Sequence, residues 1–354
     1  MKAPQTDWEK IRGNYPGLSG QTYLDTGSMG LMARSTVEAA NAEHERLVQE
    51  GSTRGIHWMM EGLAQIAGEV AMHIGGDAKG TVLFQSFTAG LARIAPLLKH
   101  RPKVLLVGGD YPTLHGPFQW NGFEVVMLQP EADGSIPLAR LEEAVKRERP
   151  QLVGISHVQW GTGHTIDLHA FGDLCRQYGA WSVVDITQSW CCVPIDLRST
   201  PIDIIGGSGY KWPLAGFGNG FFHLGPEVRS ELAEGKGFDP VKALAEGHLD
   251  PVAHVRLRDG LKRHAAIGAE VVWARVQELT AHAVQRLDAA GVRILNGSNA
   301  RDRAGILIIE GGKERQALLK AANIPVQLRG AGLRLGIHFY NTEAEVERLV
   351  EVLR

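Results

Sequence analysis

Between about residue 60 and residue 225, short apolar runs alternate with stretches of helical periodicity. Thr81–Phe84, Val104–Val107, Glu124–Leu128, Leu152–Ser156 and Ser182–Asp185 are compact runs rich in branched residues. Continuous runs of this kind, in place of strict in–out alternation, predict strands covered on both faces. Helical spacing is carried by Gly62–Ile74, by a small-residue segment starting near Thr88, by Leu138–Arg147 and by Leu168–Tyr178. Strands alternating with helices predict a layered α/β domain with a mainly parallel sheet. Beyond Gly237 the texture changes. Val252 to Ala290 has no interior proline and reads as one long helix. Gly305–Glu310, Glu314–Ala322, Ile324–Leu328, Leu333–Phe339 and Glu343–Leu353 then read strand, helix, strand, strand, helix, a small α+β unit. The expected division is a large domain over 15–250 and a small domain over 251–354, the latter completed by residues 1–14.

Composition narrows the function classes. Of 354 residues, 44% are hydrophobic and 21% charged, and the formal net charge is -2. That balance fits a soluble globular protein and gives no electrostatic reason to bind nucleic acid or an anionic membrane. The first ten residues carry no apolar stretch of signal-peptide length, and no apolar run reaches the ~18 residues of a membrane helix. The three cysteines, Cys175, Cys191 and Cys192, are odd in number and lack metal or redox spacing. A reducing cytoplasm is expected, with neither a disulfide framework nor a metal site.

Two segments carry candidate chemistry. Ser182-Val-Val-Asp185-Ile-Thr-Gln188 is an apolar strand ending in a carboxylate, and the carboxyl ends of such strands are where ligands bind. Ser208-Gly-Tyr210-Lys211-Trp212 sets a lysine among aromatic and glycine neighbours. Desolvation there would lower the lysine's pKa and make its amine a nucleophile. A pyridoxal-phosphate (PLP) site needs such an amine for a Schiff base and an acid to keep the pyridine nitrogen protonated. Lys211 and Asp185 fit those roles. Singly, each has a bland alternative: a snorkelling lysine and a strand-end helix cap.

In order and context the two segments resemble the class V aminotransferase-type PLP enzymes, a group that includes cysteine desulfurases, kynureninase and isopenicillin N epimerase. The resemblance runs from Tyr23-Leu-Asp-Thr-Gly to Tyr340-Asn-Thr342. It implies the aspartate-aminotransferase-like PLP-dependent transferase fold, a homodimer, and PLP as cofactor. It implies that Phe84-Gln-Ser-Phe-Thr88-Ala89-Gly90 is the phosphate-binding turn, with Thr88, Ala89, Ser208 and Tyr210 as donors. Tyr111 would stack on the pyridine ring, and Gln159 and Gln188 would approach the cofactor's phenolic oxygen. Arg54-Gly-Ile-His57 resembles a segment that lies near the active site, in some members that of the partner subunit. Arg334, with Arg329 as second candidate, would take the substrate α-carboxylate, for which a guanidinium fork is well shaped.

Two departures shape the expected reaction on a small amino-acid-like substrate. Desulfurases carry a nucleophilic cysteine before the carboxylate arginine, and Asn323–Gly336 contains none. Tyr210 stands where desulfurases have histidine, closer to the kynureninase-like and lyase-like relatives. The expected activity is therefore carbon–sulfur or carbon–carbon lysis, with transamination or epimerisation as the alternative.

Overall fold

A computed structural model describes residues 6–234, 237–296, 303–330 and 332–354. Four helices, α1 (Trp8–Arg12), α2 (Arg34–Glu50), α3 (Ser52–His57) and α4 (Leu63–His73), precede the first strand, β1 (Thr81–Phe84). Then follow α5 (Phe87–Ile94), β2 (Lys103–Val107), α6 (Pro112–Trp120), β3 (Glu124–Leu128), α7 (Leu138–Glu148) and β4 (Leu152–Ser156). After α8 (Leu168–Gln177) come β5 (Trp181–Asp185), β6 (Ile204–Ser208) and β7 (Gly220–Leu224). Helices α9 (Pro226–Ala233), α10 (Pro240–Leu244), α11 (Pro251–Ile267) and α12 (Ala269–Ala289) lead to β8 (Ile306–Glu310). The chain ends with α13 (Lys313–Ala321), β9 (Gln327–Arg329), β10 (Gly332–Gly336) and α14 (Glu343–Leu353).

The large sheet has seven strands in the order β1-β7-β6-β5-β4-β2-β3. Strands β2 to β6 run parallel, and β7 lies antiparallel between β1 and β6. Every residue of β4, β5 and β6 is buried, as the apolar runs of β4 and β5 require once helices cover both faces. Register then sets Ser156 opposite Asp185, and Asp185 opposite Gly206, at the carboxyl ends of the central strands.

The second sheet is antiparallel, β8-β10-β9, with Arg334 on the middle strand between Ile308 and Gln327. The N-terminal chain joins this layer: Asp25 bridges Gly336, and Gly336 N–H donates to Leu24 O at 2.6 Å. Arg12 binds Glu345 at 2.8 Å, and Trp8 packs against Phe339.

Three expectations need correction. Residues 252–290 are not one helix: Gly268 adopts φ 97, outside the helical region, and separates α11 from α12. The two helices serve different cores, since Leu257 and Leu261 pack with the large sheet, whereas Leu279, Ala283 and Leu287 pack with β8 and β10. Helix α5 starts at Phe87, because its cap is Ser86, whose hydroxyl accepts from Ala89 N–H at 3.1 Å. In the small sheet, strand pairing is limited to Gln327–Arg329 and Gly332–Gly336, shorter than the apolar runs that flagged them.

The core also holds neutral histidines. Burial pushes His73, His157 and His223 down to about 4, and His264 and His338 down to about 3, from an ordinary 6.5. Below 6.5 the unfolded chain takes up protons that the folded chain refuses, so stability present at neutral pH is lost as pH falls from about 6.5 towards 4. Each such histidine contributes about 1.4 kcal/mol per pH unit. Asp25 and Asp203, raised by burial, act with the opposite sign and offset part of this. Urea melts are expected to show several kcal/mol less stability at pH 5 than at pH 7.5; equal stabilities would contradict the burial of these rings.

Candidate active site

The carboxyl ends of β2, β4, β5 and β6 open into one cleft. Lys211, on the turn after β6, reaches it with only 6% of its surface exposed. Its Nζ lies 5.3 Å from the ring centres of both Tyr111 and Tyr210, and among the described residues it makes no hydrogen bond or ion pair. Burial lowers its pKa; the Arg334 charge adds to that and the Asp185 charge opposes it. The turn that holds it depends on close packing. Gly30 N–H donates to Tyr210 O at 2.9 Å, and a Cβ on Gly30 would collide with Lys211 O.

Asp185 is equally buried. Its Oδ1 accepts from Thr187 N–H at 2.8 Å, and among the described residues no group donates to Oδ2 within hydrogen-bond distance and angle. Burial raises its carboxyl from the usual range; Thr187 works against this, while the Asp110 charge reinforces it and the Lys211 charge opposes it. Asp110 is itself a hub. It accepts from Tyr111 N–H (2.6 Å), Ser156 Oγ (2.6 Å), Ser156 N–H (2.8 Å) and Gln159 Nε2 (3.0 Å). That network fixes Tyr111 over the cleft, edge-on to Trp160 at 5.6 Å.

At the far end of the cleft, Ser208 Oγ accepts from Phe87 N–H at 2.8 Å, and Thr187 Oγ1 accepts from Ser208 N–H at 3.2 Å. Ser208 thus joins the N-terminus of α5, where Ser86 and Thr88 also line the cleft. The N–H of Ala89 points to its Ser86 cap, so Phe87 and Thr88 are the α5 residues that line the open space. Tyr210 stacks on Phe217 with ring centres 5.1 Å apart, and burial raises its hydroxyl's pKa.

The two glutamines are held from behind. Gln159 Nε2 binds Asp110 and Ser156 O, while Gln188 Nε2 donates to Gly27 O at 3.0 Å and its Oε1 accepts from Trp212 Nε1 at 2.8 Å. Gln188 lines the cleft; Gln159 lies beneath it.

Arg334 is 2% exposed. It donates to Ser28 Oγ at 2.6 Å and Trp160 O at 3.1 Å, and stands 3.7 Å from Asp25. Arg329 has its guanidinium 5.7 Å from the Trp160 ring, and among the described residues its one hydrogen bond goes to Leu328 O. Arg54 is paired within its own chain, with Nε and NH2 on Glu43 at 2.7 and 2.6 Å. Asp25, Ser28, Ser86, Trp160 and Thr187 were not singled out from sequence. Asp25, Ser86 and Thr187 stand inside quoted motifs, Ser28 directly follows the first one, and Trp160 follows Gln159.

A buried unpaired amine and an open carboxylate oxygen on one cleft, with a helix N-terminus and a serine beyond, define a site for an aldehyde cofactor with a pyridine ring and an anionic tail. The sequence profile of "Aminotransferase class-V" matches residues 22–349, and the chain belongs to this family. Isopenicillin N epimerase of Streptomyces clavuligerus is 27% identical, over 98% of this chain and 98% of its own. Among solved structures, a cysteine desulfurase from Thermococcus onnurineus NA1 superposes with TM-score 0.87 at 20% identity, over 100% of this chain and 98% of the other. A lysine-to-alanine mutant of C-DES, with glycine covalently linked to its PLP cofactor, superposes with TM-score 0.86 at 19% identity, covering 96% and 98%. The protein is a PLP-dependent enzyme with the fold of that family.

Proposed function

We propose that the enzyme acts on an α-amino acid and cleaves a carbon–sulfur or carbon–carbon bond of its side chain. One observation carries the reading: the Lys211 amine is buried, unpaired and on the same cleft as Asp185. Lys211 is the residue that carries PLP, and bound PLP supplies an electron sink at the substrate's α carbon. Asp185 would hold the pyridine nitrogen protonated. Tyr111 would cover the ring face, while Thr88 at the α5 N-terminus and Ser208 at the end of β6 would hold the phosphate, with Tyr210 beside them. Gln188 and Gln159 support the side bearing the phenolic oxygen. Arg334 binds the α-carboxylate. Once free, Lys211 moves the α proton, its lowered pKa leaving the amine neutral at a milder pH than an exposed lysine.

Tyr210 favours lysis. Burial keeps its hydroxyl protonated, so it can give a proton to a departing group beside Lys211. Epimerisation or transamination is the second reading, supported by the full-length similarity to an epimerase. Product analysis on a panel of amino acids, with and without a keto acid, separates them. Release of sulfide, pyruvate or a side-chain fragment supports lysis; keto-acid-dependent turnover or an inverted α centre overturns it.

The state of the thiols weighs against persulfide chemistry. Cys175, Cys191 and Cys192 are buried, and burial raises all three thiols, the opposite of what a nucleophilic thiolate needs. Replacing all three by serine or alanine is expected to leave the PLP spectrum intact and turnover within about tenfold. A hundredfold loss with an intact spectrum would restore cysteine chemistry, with Cys191 or Cys192 as suspects.

The working molecule in this reading is a cytoplasmic homodimer. Ile56, Met59 and Met60, exposed beside the Arg54–His57 segment, suit a subunit contact. No described helix is long and apolar enough to cross a membrane. The cofactor domain is expected from sequence to end at residue 250; the packing of Leu257 and Leu261 of α11 with the large sheet favours a boundary after α11.

A further inference from the structure

We infer that the substrate carries a second carboxylate, bound by Arg329 while Arg334 binds the one on the α carbon. The inference rests on the amino-acid reading above and extends it to a substrate class. Arg334 and Arg329 approach one residue from two sides: Arg334 donates to the Trp160 backbone, and Arg329 lies over the Trp160 ring. Trp160 lines the cleft that holds Lys211, and both guanidinium charges reach Lys211.

The two arginines are not equivalent. Arg334 is fixed from behind by Ser28, Trp160 O and the nearby Asp25. That is the setting of a preorganised anchor, with one guanidinium face held and the other free. Arg329 has no carboxylate within ion-pair distance among the described residues, and Asp25, which its charge reaches, already accepts from Gln327 at 2.9 Å. Its Nε, like that of Arg334, is buried without a hydrogen-bond partner among the described residues, where its one bond is to Leu328 O on its own strand. A guanidinium with its Nε edge uncommitted, beside an aromatic ring that lines the cleft, suits bidentate capture of a carboxylate. One carboxylate on the α carbon occupies Arg334. A substrate that also fills Arg329 carries another at the end of its side chain.

The test uses the PLP-loaded enzyme and reads the change in cofactor absorbance on titration, so binding is measured without turnover. Aspartate, glutamate and 2-aminoadipate are compared with asparagine, glutamine and norleucine, and alanine reports the α-amino-acid site alone. At least one dicarboxylic amino acid is expected to bind about tenfold or more tighter than its neutral counterpart, the worth of one charge-assisted pair. In Arg329→Gln that preference should collapse to about twofold or less, while alanine still perturbs the cofactor spectrum, which shows that the site is folded. Arg334→Gln should weaken all seven ligands together. A normal alanine response with no dicarboxylate preference, or a preference that survives in Arg329→Gln, overturns the inference and leaves the amino-acid reading standing. A loaded enzyme whose spectrum no amino acid perturbs removes that reading itself, and this inference with it.

Discussion

Replacing Lys211 by alanine is expected to abolish turnover, by a factor of about a thousand or more, and to remove the imine absorbance of the bound cofactor. The size follows from the site. Lys211 is the buried amine of the cleft, and on this account it both carries the cofactor and moves the substrate's α proton. No described histidine lines the cleft to take over proton transfer. The cofactor itself should stay bound, because the N-terminus of α5, Ser208 and Tyr111 do not depend on the lysine. Absorption spectra and phosphate content of the purified variant separate the two effects. A variant retaining more than about a tenth of wild-type turnover would mean that another group moves the proton.

Asp185→Ala should come next in severity, with turnover reduced by about a hundredfold or more. The carboxylate sits at the end of β5, opposite Ser156, and its Oδ2 is the acceptor left open in the cleft. Burial has raised its carboxyl, a cost that a cationic partner repays, so removing it should also shift the pH dependence of the cofactor's spectrum. Asp185→Glu, which keeps the charge but lengthens the side chain, should recover part of the rate. Unchanged turnover in Asp185→Ala would take the electron-sink role away from this residue. A loss confined to KM would point to a structural role only.

What the sequence made legible, and what it did not, follows from the range of the interactions. β4 and β5 were readable because both faces are covered, which leaves a continuous apolar run in the chain itself. β6 was not: Ile204-Ile-Gly-Gly-Ser208 has two glycines where side chains would signal a strand, and they are there because Gly206 abuts the Phe222 ring. α2 escaped notice because only Thr36, Ala40 and Glu43 are buried along its length, so it shows almost no apolar stripe. The break at Gly268 was masked because a lone glycine inside a periodic run costs only about 1 kcal/mol in a helix and cannot be told from a tolerated one.

The site divides in the same way. Lys211, Asp185 and Ser208 lie on local strand-end motifs. The surroundings of Arg334 come from Asp25, Ser28 and Trp160, which the fold brings from far along the chain through the bridge between Asp25 and Gly336. The resemblance to a family supplied candidate positions for the glutamines. Only the structure reveals that Trp212 and Gly27 hold Gln188 in place and that Asp110 holds Gln159.

The most direct test of the central claim is reduction of the purified yellow enzyme with borohydride, followed by peptide mapping. The account expects the colour to bleach and a single pyridoxyl adduct on Lys211. An adduct on any other lysine, or none at all in a protein that retains its cofactor, would contradict it.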